Sequence, residues 1–196
     1  MTGTVDAGPP PDAARRGAGS AAPTGVTEPG PARPTPLVVG VLSDTHGHLY
    51  PDVAKELDGV DHIIHAGDLG TYDVLAALRR IAPVTAVRGN VDMGGWADAL
   101  PSRAEVELGG VCVAVAHVAP RADGAGRAGQ PVVVVAGHSH IAAEEWREGV
   151  LYLNPGSAGP PRFGRPRTMA RLEVWPPREA GGAPRVTAEI VILGRG

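Results

Sequence analysis

The chain has 196 residues and a formal net charge of −3, and aromatic residues make up only 4% of it. This length is enough for one domain with a core, or for one domain plus a tail. Because aromatic side chains are so few, the core must be built mainly from Val, Leu, Ile and Ala. The acidic balance and the absence of a basic tract argue against a protein that binds nucleic acid.

Cysteine usage and the distribution of apolar residues exclude further classes of protein. The single cysteine, Cys112, excludes an internal disulfide framework and a multi-cysteine zinc site. Cys112 lies in the apolar run 111–116, so we expect it to be a small buried hydrophobic residue. No stretch approaches the roughly 18 apolar residues of a membrane span, and the N-terminus does not resemble a signal peptide. We therefore expect a cytoplasmic protein that does not bind membranes.

The first 36 residues differ in composition from the rest of the chain. Proline alternates there with Gly, Ala and Thr, and the apolar residues show no periodicity. Such a segment cannot bury enough surface to offset the entropy that it would lose on ordering. We therefore predict a disordered tail at 1–36 and one folded domain at 37–196.

The first half of the domain alternates between predicted strands and predicted helices. An apolar run at 37–42 predicts a buried strand. Further along, 62–66 and 84–87 are also typical of strands, whereas 51–58 and 71–82 have helical character. This order favours parallel pairing of the three strands.

The second half of the domain is rich in predicted strands. Residues 104–108 and 111–116 indicate a hairpin around Gly109 and Gly110, and 132–136 indicates another buried strand. Four later segments alternate between apolar and polar residues and predict further strands: 143–147, 150–153, 168–175 and 185–193. The predicted fold is α/β, with two facing β-sheets flanked by helices.

Five of the apolar runs end in polar residues that are able to bind a metal. In chain order these are Asp44 and His46, then Asp68, Asn90, His117, and finally His138 and His140. Ligands bind at the carboxyl ends of strands in α/β folds because the loops there converge on one crevice. A single Asp or His at such a place is usually a turn former or an incidental polar residue. Five such endings in succession favour a metal site.

The types of side chain limit the metals that this site could hold. Carboxylate, amide and imidazole ligands without thiolate suit Mn²⁺, Fe²⁺, Zn²⁺ or Ni²⁺. Seven side chains are too many for one catalytic ion, which keeps a position open for water. They suit two ions roughly 3.5–4 Å apart that share one carboxylate. Asp44 and His46 are expected to reach the same ion, because alternate residues leaving a strand point to the same side.

These residues resemble the motifs of the calcineurin-like metallophosphoesterase superfamily, in which Asp-x-His, Gly-Asp, Gly-Asn, His and Gly-His-x-His follow in this order. The resemblance is strongest to the small bacterial and archaeal phosphodiesterase branch. Its motifs Ser-Asp-Thr-His-Gly, Gly-Asn-x-Asp, Gly-His-[Thr/Ser]-His and Asn-Pro-Gly-Ser stand here at 43–47, 89–92, 137–140 and 154–157. The resemblance covers residues 37 to about 193 and implies an αββα sandwich that hydrolyses phosphate esters.

The resemblance also implies a role for each candidate ligand. By motif position, three ligands hold each ion and one bridges both: Asp44, His46 and His140 for the first, Asn90, His117 and His138 for the second, and Asp68 as the bridge. Asp68, Asn90 and His117 are then expected to take part in catalysis. Asn90 and Arg162 could contact the substrate phosphate, although Arg162 could equally remain solvated. The implied cofactor is a pair of divalent ions, with Mn²⁺ first and Fe²⁺, Zn²⁺ or Ni²⁺ as alternatives.

Three features depart from the superfamily pattern. Val91 stands where many members have a His that can protonate the leaving group, so leaving groups that need acid assistance should react slowly. Val118 replaces the Gly that usually follows the isolated His, so the loop that carries His117 could be displaced. The segment 118–131 is short for a parallel crossover and rich in Gly, which predicts either a bare loop or a rebuilt wall of the site.

The interpretation that we favour is a phosphodiesterase that acts on small or activated diesters, with in-line attack by a metal-bridging hydroxide. Its expected partner is a small phosphate-ester substrate, without nucleic acid or a membrane. A phosphomonoesterase or a nucleotide pyrophosphohydrolase could use the same site. A non-catalytic binding scaffold of the same fold is a third alternative, but a scaffold has no chemical need for all seven ligands.

Overall fold

The computed structural model describes residues 35–118, 132–162, 164–179 and 181–194. They belong to one compact unit that spans Pro34–Gly196. The predicted tail therefore lies outside the described residues, apart from its last two positions, and so does nearly all of the predicted short segment 118–131. Within the described ranges, no helix has the length and apolar character needed to cross a membrane.

Ten strands and three helices make up the described domain. In chain order they are β1 Leu37–Leu42, α1 Pro51–Glu56, β2 His62–His65, α2 Tyr72–Arg79, β3 Val84–Ala86, α3 Gly95–Asp98, β4 Arg103–Leu108, β5 Val111–Ala116, β6 Val132–Val135, β7 Ala143–Arg147, β8 Val150–Asn154, β9 Thr168–Trp175 and β10 Arg185–Ile192. Every predicted strand and both predicted helices are found, with ends that differ by up to three residues. The short helix α3 was not predicted, because a helix of four residues that begins with glycine is too short to show a helical periodicity.

The strands form two five-stranded sheets. The first sheet has the order β10-β9-β1-β2-β3 and the second has the order β4-β5-β6-β8-β7. Strands β1, β2 and β3 pair in parallel, as do β5, β6 and β8. The remaining pairs are antiparallel: β10 with β9, β9 with β1, β4 with β5 and β7 with β8. The predicted parallel pairing of the first three strands and the predicted sandwich of two facing sheets are confirmed.

The core lies between the two sheets, and a second apolar layer lies under the helices. Val39 and Val41 of β1 pack in one cluster with Val113 of β5 and Val133 of β6, which fills the space between the sheets. Leu42, at the end of β1, instead packs in a second cluster that contains residues of α1 and α2. The described helices therefore cover the outer face of the first sheet. Burying each such Val or Leu stabilises the fold by about 1.5–3 kcal/mol.

The carboxyl ends of the parallel strands are tied together by backbone hydrogen bonds. The Asp44 N–H, just after β1, donates to Gly67 O after β2 at 3.0 Å. In the second sheet, the Gly137 N–H after β6 donates to His117 O after β5, also at 3.0 Å. These bonds hold the loops that carry the predicted metal ligands at one edge of the sandwich.

Candidate metal centre

Five of the seven predicted ligands form two overlapping groups with metal-binding spacing. One group is Asp44, His46 and His140, and the other is Asp44, Asp68 and His117; within each group the donor atoms lie within 4.8 Å of one another. Asp44 belongs to both groups, so the carboxylate that the structure places between them is Asp44. The assignment of the bridging role to Asp68 stays a prediction.

The backbone of the ligand loops is in a left-handed conformation. Six non-glycine residues in the described ranges have a positive φ, and five of them are predicted ligands: Asp44 (55°), His46 (48°), Asp68 (57°), His138 (66°) and His140 (57°). Such a conformation costs an L-residue roughly 1–2 kcal/mol and typically occurs at functional sites. The reason that we gave for pairing Asp44 with His46 is therefore wrong. They meet because both residues turn sharply after β1 has ended, and not because they alternate along an extended strand.

Asp44 is fully buried and uses its two oxygens differently. Its Oδ2 accepts hydrogen bonds from the Ser43 hydroxyl at 2.6 Å and from the His138 N–H at 3.1 Å. Its Oδ1 lies 3.2 Å from His140 Nε2 and 4.0 Å from His46 Nε2, and it accepts no hydrogen bond among the described residues. A buried carboxylate oxygen without a donor is expensive, and a cation at this position would satisfy it.

His117 is oriented by a hydrogen bond on the far side of its ring. Its Nδ1 lies 2.8 Å from Ala66 O, and because a carbonyl oxygen only accepts, Nδ1 must carry the proton and donate. The other ring nitrogen, Nε2, then points towards Asp68 Oδ2 at a distance of 3.4 Å. A backbone carbonyl on the other ring nitrogen is the usual support for a metal-ligating His. His117 is only 4% exposed, and the effect of Val118 on the position of its loop stays a prediction. Val118 itself is 59% exposed.

Burial and neighbouring charges shift the pKa values in the site so that Asp68 is ionised and His46 is neutral. Burial tends to raise the pKa of Asp68, but the His117 side chain and the Val91 N–H outweigh it and lower the pKa to about 2. Burial also tends to lower the pKa of His117, whereas its contacts with Asp68 and Ala66 O raise it overall. Burial, followed by the positive charge of Arg162, lowers the pKa of His46. Ionised carboxylates and neutral imidazoles are the forms that bind metal.

The remaining predicted ligands lie at the rim of the site. The ring of His138 packs edge-on against that of His117, with ring centroids 5.1 Å apart. Asn90 follows β3 and is exposed, and the N–H of its neighbour Val91 donates to Asp68 Oδ1 at 3.0 Å. The donor set therefore fits divalent cations: buried Asp44 Oδ1 and His117 Nε2 lack hydrogen bonds among the described residues, and His46 Nε2 lies 3.3 Å from His140 Nε2.

Two glycines of the motifs allow the ligand loops to approach one another. A Cβ on Gly137 would lie 1.8 Å from Ser43 Oγ and 2.8 Å from Asp44 Oδ2. A Cβ on Gly89 would lie 2.1 Å from both the Asp68 N and the Asp68 Oδ1. Side chains at these positions would therefore push the two carboxylates out of place.

We expect Gly137→Ala to weaken Mn²⁺ binding by about 10- to 100-fold, the usual loss when the support of a ligand is disturbed. Isothermal titration calorimetry with Mn²⁺ measures this change in affinity. Gly95→Ala is the matched control, because nothing lies within 4 Å of a Cβ there, and its affinity should equal that of the wild type. An unchanged affinity in Gly137→Ala would contradict the close packing of this loop on Asp44.

Several supporting residues were not predicted to belong to the site. Asp92 is buried and accepts hydrogen bonds from the Gly70 N–H at 2.7 Å and the Gly89 N–H at 2.8 Å, which joins the Asp68 and Asn90 loops. Its position in the Gly-Asn-x-Asp motif was the signal that could have found it. His65, a fully buried residue at the end of β2, contacts Thr45 Oγ1 through Nε2 at 3.0 Å. Burial first, and then repulsion from His117, lowers the pKa of His65 to about 3.

The turn at 154–157 connects both ligand loops. Asn154 Nδ2 donates to Gly137 O at 2.9 Å and to Ser139 Oγ at 3.0 Å, while the Ser157 hydroxyl donates to Asp44 O at 3.0 Å. The turn thus holds the Gly-His-Ser-His loop of the second sheet next to the Asp-Thr-His loop of the first. These hydrogen bonds therefore position both ligand loops.

Comparison with known proteins shows which sequences and structures this chain is similar to. A sequence model of the calcineurin-like phosphoesterase superfamily domain matches residues 37–175. A probable metallophosphoesterase of Methanothermobacter thermautotrophicus is 35% identical over 147 residues, which are 68% of this chain and 84% of that protein. Among solved structures, vacuolar protein sorting 29 from Cryptosporidium parvum matches with a TM-score of 0.61 at 16% identity, over 81% of this chain and 99% of that one.

A second solved structure, the phosphoesterase YfcE from E. coli, matches with a TM-score of 0.52 at 24% identity, over 70% of this chain and 91% of that one. Identities this low establish a common fold and no more. The sequence match is of a different kind, because it spans most of the domain and includes the motifs that build the two ligand groups. The chain therefore belongs to the calcineurin-like phosphoesterase superfamily.

Proposed function

We propose that this protein is a binuclear metal-dependent phosphodiesterase for small or activated phosphodiesters. The observation that carries the proposal is the pair of ligand groups that share the buried Asp44. Their N and O donors suit two divalent ions, Mn²⁺ first, with Fe²⁺, Zn²⁺ or Ni²⁺ as alternatives. Ions bound there would supply a water activated for attack at neutral pH and positive charge next to the phosphate.

Arg162 is the residue best placed to bind a phosphate oxygen. It is exposed, forms no ion pair with any described residue, and lines a small cavity together with the ligand His140. It is also close enough to His46 to contribute to the lowered pKa of that imidazole. A guanidinium without a carboxylate partner at the rim of a site for anions is available for bidentate contact with phosphate.

The preference for activated diesters follows from Val91. Val91 is 43% exposed and its N–H is occupied by Asp68 Oδ1. An apolar side chain at this position cannot donate a proton to the leaving oxygen. His48 is exposed, stacks on Tyr50 and contacts the His46 carbonyl at 3.1 Å through Nδ1, so its ring is engaged by groups other than Val91. We therefore propose that leaving groups depart with little acid assistance.

We expect Val91→His to accelerate the hydrolysis of diesters with poor leaving groups by up to roughly 10²-fold. The effect should be small for nitrophenyl leaving groups, which depart unaided. The measurement is a series of rates against leaving-group pKa, in which the wild type should show the steeper decline.

Met93→His is the control for this series, because it adds a histidine two residues away at a position that is 74% exposed. Equal shallow slopes in the wild type and in Val91→His would contradict the account of Val91. They would indicate that another group, such as His48, already donates the proton.

The proposed function is tested with chelator-treated protein supplied with each cation in turn. Rates on bis(p-nitrophenyl) phosphate and p-nitrophenyl phosphate should favour the diester, with the highest rate in Mn²⁺. A faster monoester reaction would support the alternative phosphomonoesterase. Failure to bind any of the cations and to hydrolyse any ester would support the scaffold alternative instead.

A further inference from the structure

A cleft beside the metal centre is not used by the chemistry described so far. It has a volume of about 680 Å³ and lies between the loop after the 154–157 turn and the end of β10. Its walls are mainly apolar and include Pro161, Pro166, Ile192 and Leu193. Ile192 is 72% exposed although it is a large apolar residue, so the cleft presents open apolar surface to a ligand.

The cleft adjoins the metal centre through a narrow cavity. This cavity has a volume of about 10 Å³, room for about one water molecule, and is lined by the metal ligand His140 and by Arg162. Pro161, Arg165, Pro166 and Arg167 line both the cavity and the cleft. A group bonded to a phosphate at the metal centre could therefore extend directly into the cleft.

The charges along this path change from positive to neutral. Arg162 and Arg165 stand at the junction, and neither forms an ion pair with a described residue. Arg167, the other arginine of the lining, is neutralised by Asp52 at 2.9 Å. Beyond the junction the walls are two glycines and the aliphatic side chains of Ile192 and Leu193. This order suits a ligand with an anionic phosphate at one end and an apolar group at the other.

We propose that this cleft is the subsite for an apolar organic group, of the size of a phenyl ring or larger, in the ester that the metal centre hydrolyses. Arg165 contacts the phosphate at the entrance, and Ile192 and the prolines contact the organic group. This inference rests on the proposed function for its account of the substrate. It makes aryl or bulky alkyl diesters the preferred substrate class over diesters of methanol.

Binding is measured first, by calorimetry on the full chain loaded with Mn²⁺. Phenylphosphonate and methylphosphonate carry the same anionic group and differ only in the apolar part. We expect phenylphosphonate to bind roughly tenfold tighter, which corresponds to partial burial of one ring. Ile192→Ser should bring the two affinities close together and leave that of methylphosphonate unchanged. Arg165→Gln should weaken both ligands by a similar factor.

The control is Trp146→Ser, which removes another large exposed apolar side chain, 50% exposed, from β7 of the other sheet. It should keep the preference for phenylphosphonate. Equal affinities for the two phosphonates in the wild type would overturn the inference, and so would an equal loss of preference in Trp146→Ser and Ile192→Ser.

Kinetics then separate this inference from the proposed function. Phenyl p-nitrophenyl phosphate and methyl p-nitrophenyl phosphate have the same leaving group, and we expect a KM about tenfold lower for the phenyl diester, lost in Ile192→Ser. Hydrolysis of both diesters with equal KM would overturn the subsite and support the phosphodiesterase. A preference for phenylphosphonate without hydrolysis of either diester would support the subsite and overturn the proposed function.

Discussion

Asp44→Asn is expected to abolish the binding of both ions of the proposed binuclear centre and to lower the turnover of the proposed phosphodiester substrates by about 10³-fold or more. Asp44 is fully buried and belongs to both ligand groups. Its Oδ2 already accepts two hydrogen bonds, while its Oδ1 faces His140 and His46. An amide nitrogen at either position would oppose a donor or a cation, so neither orientation of Asn restores the carboxylate.

Metal content after dialysis against Mn²⁺ and turnover of bis(p-nitrophenyl) phosphate measure this effect. Asp58→Asn is the control, because Asp58 is exposed after α1 and belongs to neither ligand group. Retention of both ions in Asp44→Asn would contradict the shared role of this residue. Asp68→Asn is a second comparison. Loss of both ions in this variant would support Asp68 as the predicted bridging ligand, whereas loss of only one ion would support Asp44 as the bridging ligand.

Arg167→Met is expected to destabilise the protein by about 3 kcal/mol, the lower part of the range for breaking a buried ion pair. Arg167 is 2% exposed, and its guanidinium donates to both oxygens of Asp52 at 2.9 and 3.0 Å. It also donates to Ala158 O, Gly159 O and Gly194 O and lies over the Tyr50 ring at 3.8 Å. We expect a loss in the lower part of this range because the Asp52 side chain is 34% exposed, so water can still hydrate its carboxylate when Arg167 is removed.

The expected fall in Tm is about 6–12 °C for a domain of this size. Burial tends to raise the pKa of Asp52, but Arg167 outweighs it and lowers the pKa overall. The stabilisation by this pair is therefore complete above the unfolded pKa of about 3.9 and is lost as the pH falls through the lower folded pKa. The difference in Tm between wild type and variant should be large at pH 7 and should shrink below about pH 4.

Arg171→Met is the control for this measurement, because Arg171 is 38% exposed and its contact with Glu173 is 3.8 Å long. Its effect on the free energy of unfolding should stay within about 0.5 kcal/mol. A similar loss in both variants, or a loss in Arg167→Met that does not change with pH, would contradict the role given to the Asp52 pair.

The elements and the ligand positions could be predicted because they leave local signals. The run at 37–42 is apolar on every side, and a strand buried in a parallel sheet needs that pattern. Asp44, Asp68 and His117 could be placed together because each follows such a strand. Local patterns cannot report the conformation of the turns themselves, so the left-handed backbone at Asp44 and His46 was not foreseen.

The supporting contacts could not be predicted for a different reason. Arg167 and Asp52 are 115 residues apart in the chain, and an arginine between Pro166 and Thr168 has no local feature that distinguishes it from a surface residue. Ser157 also acts across the two sheets, through its hydrogen bond to Asp44 O. Such pairs form only when the fold brings distant segments together, so spacing along the sequence carries no trace of them.

The left-handed backbone at the ligand positions lowers the stability of the fold in exchange for the placement of metal-binding side chains. Asp, Asn and His tolerate this conformation better than most residues, but glycine tolerates it best. Glycine would remove this backbone strain, roughly 1–2 kcal/mol at each of these five positions, although at Asp44 and Asp68 it would also remove the hydrogen bonds of the carboxylates. Retention of Asp and His there opposes the scaffold alternative. It also makes alanine a poor choice of inactive variant, since alanine removes the ligand and keeps the backbone strain.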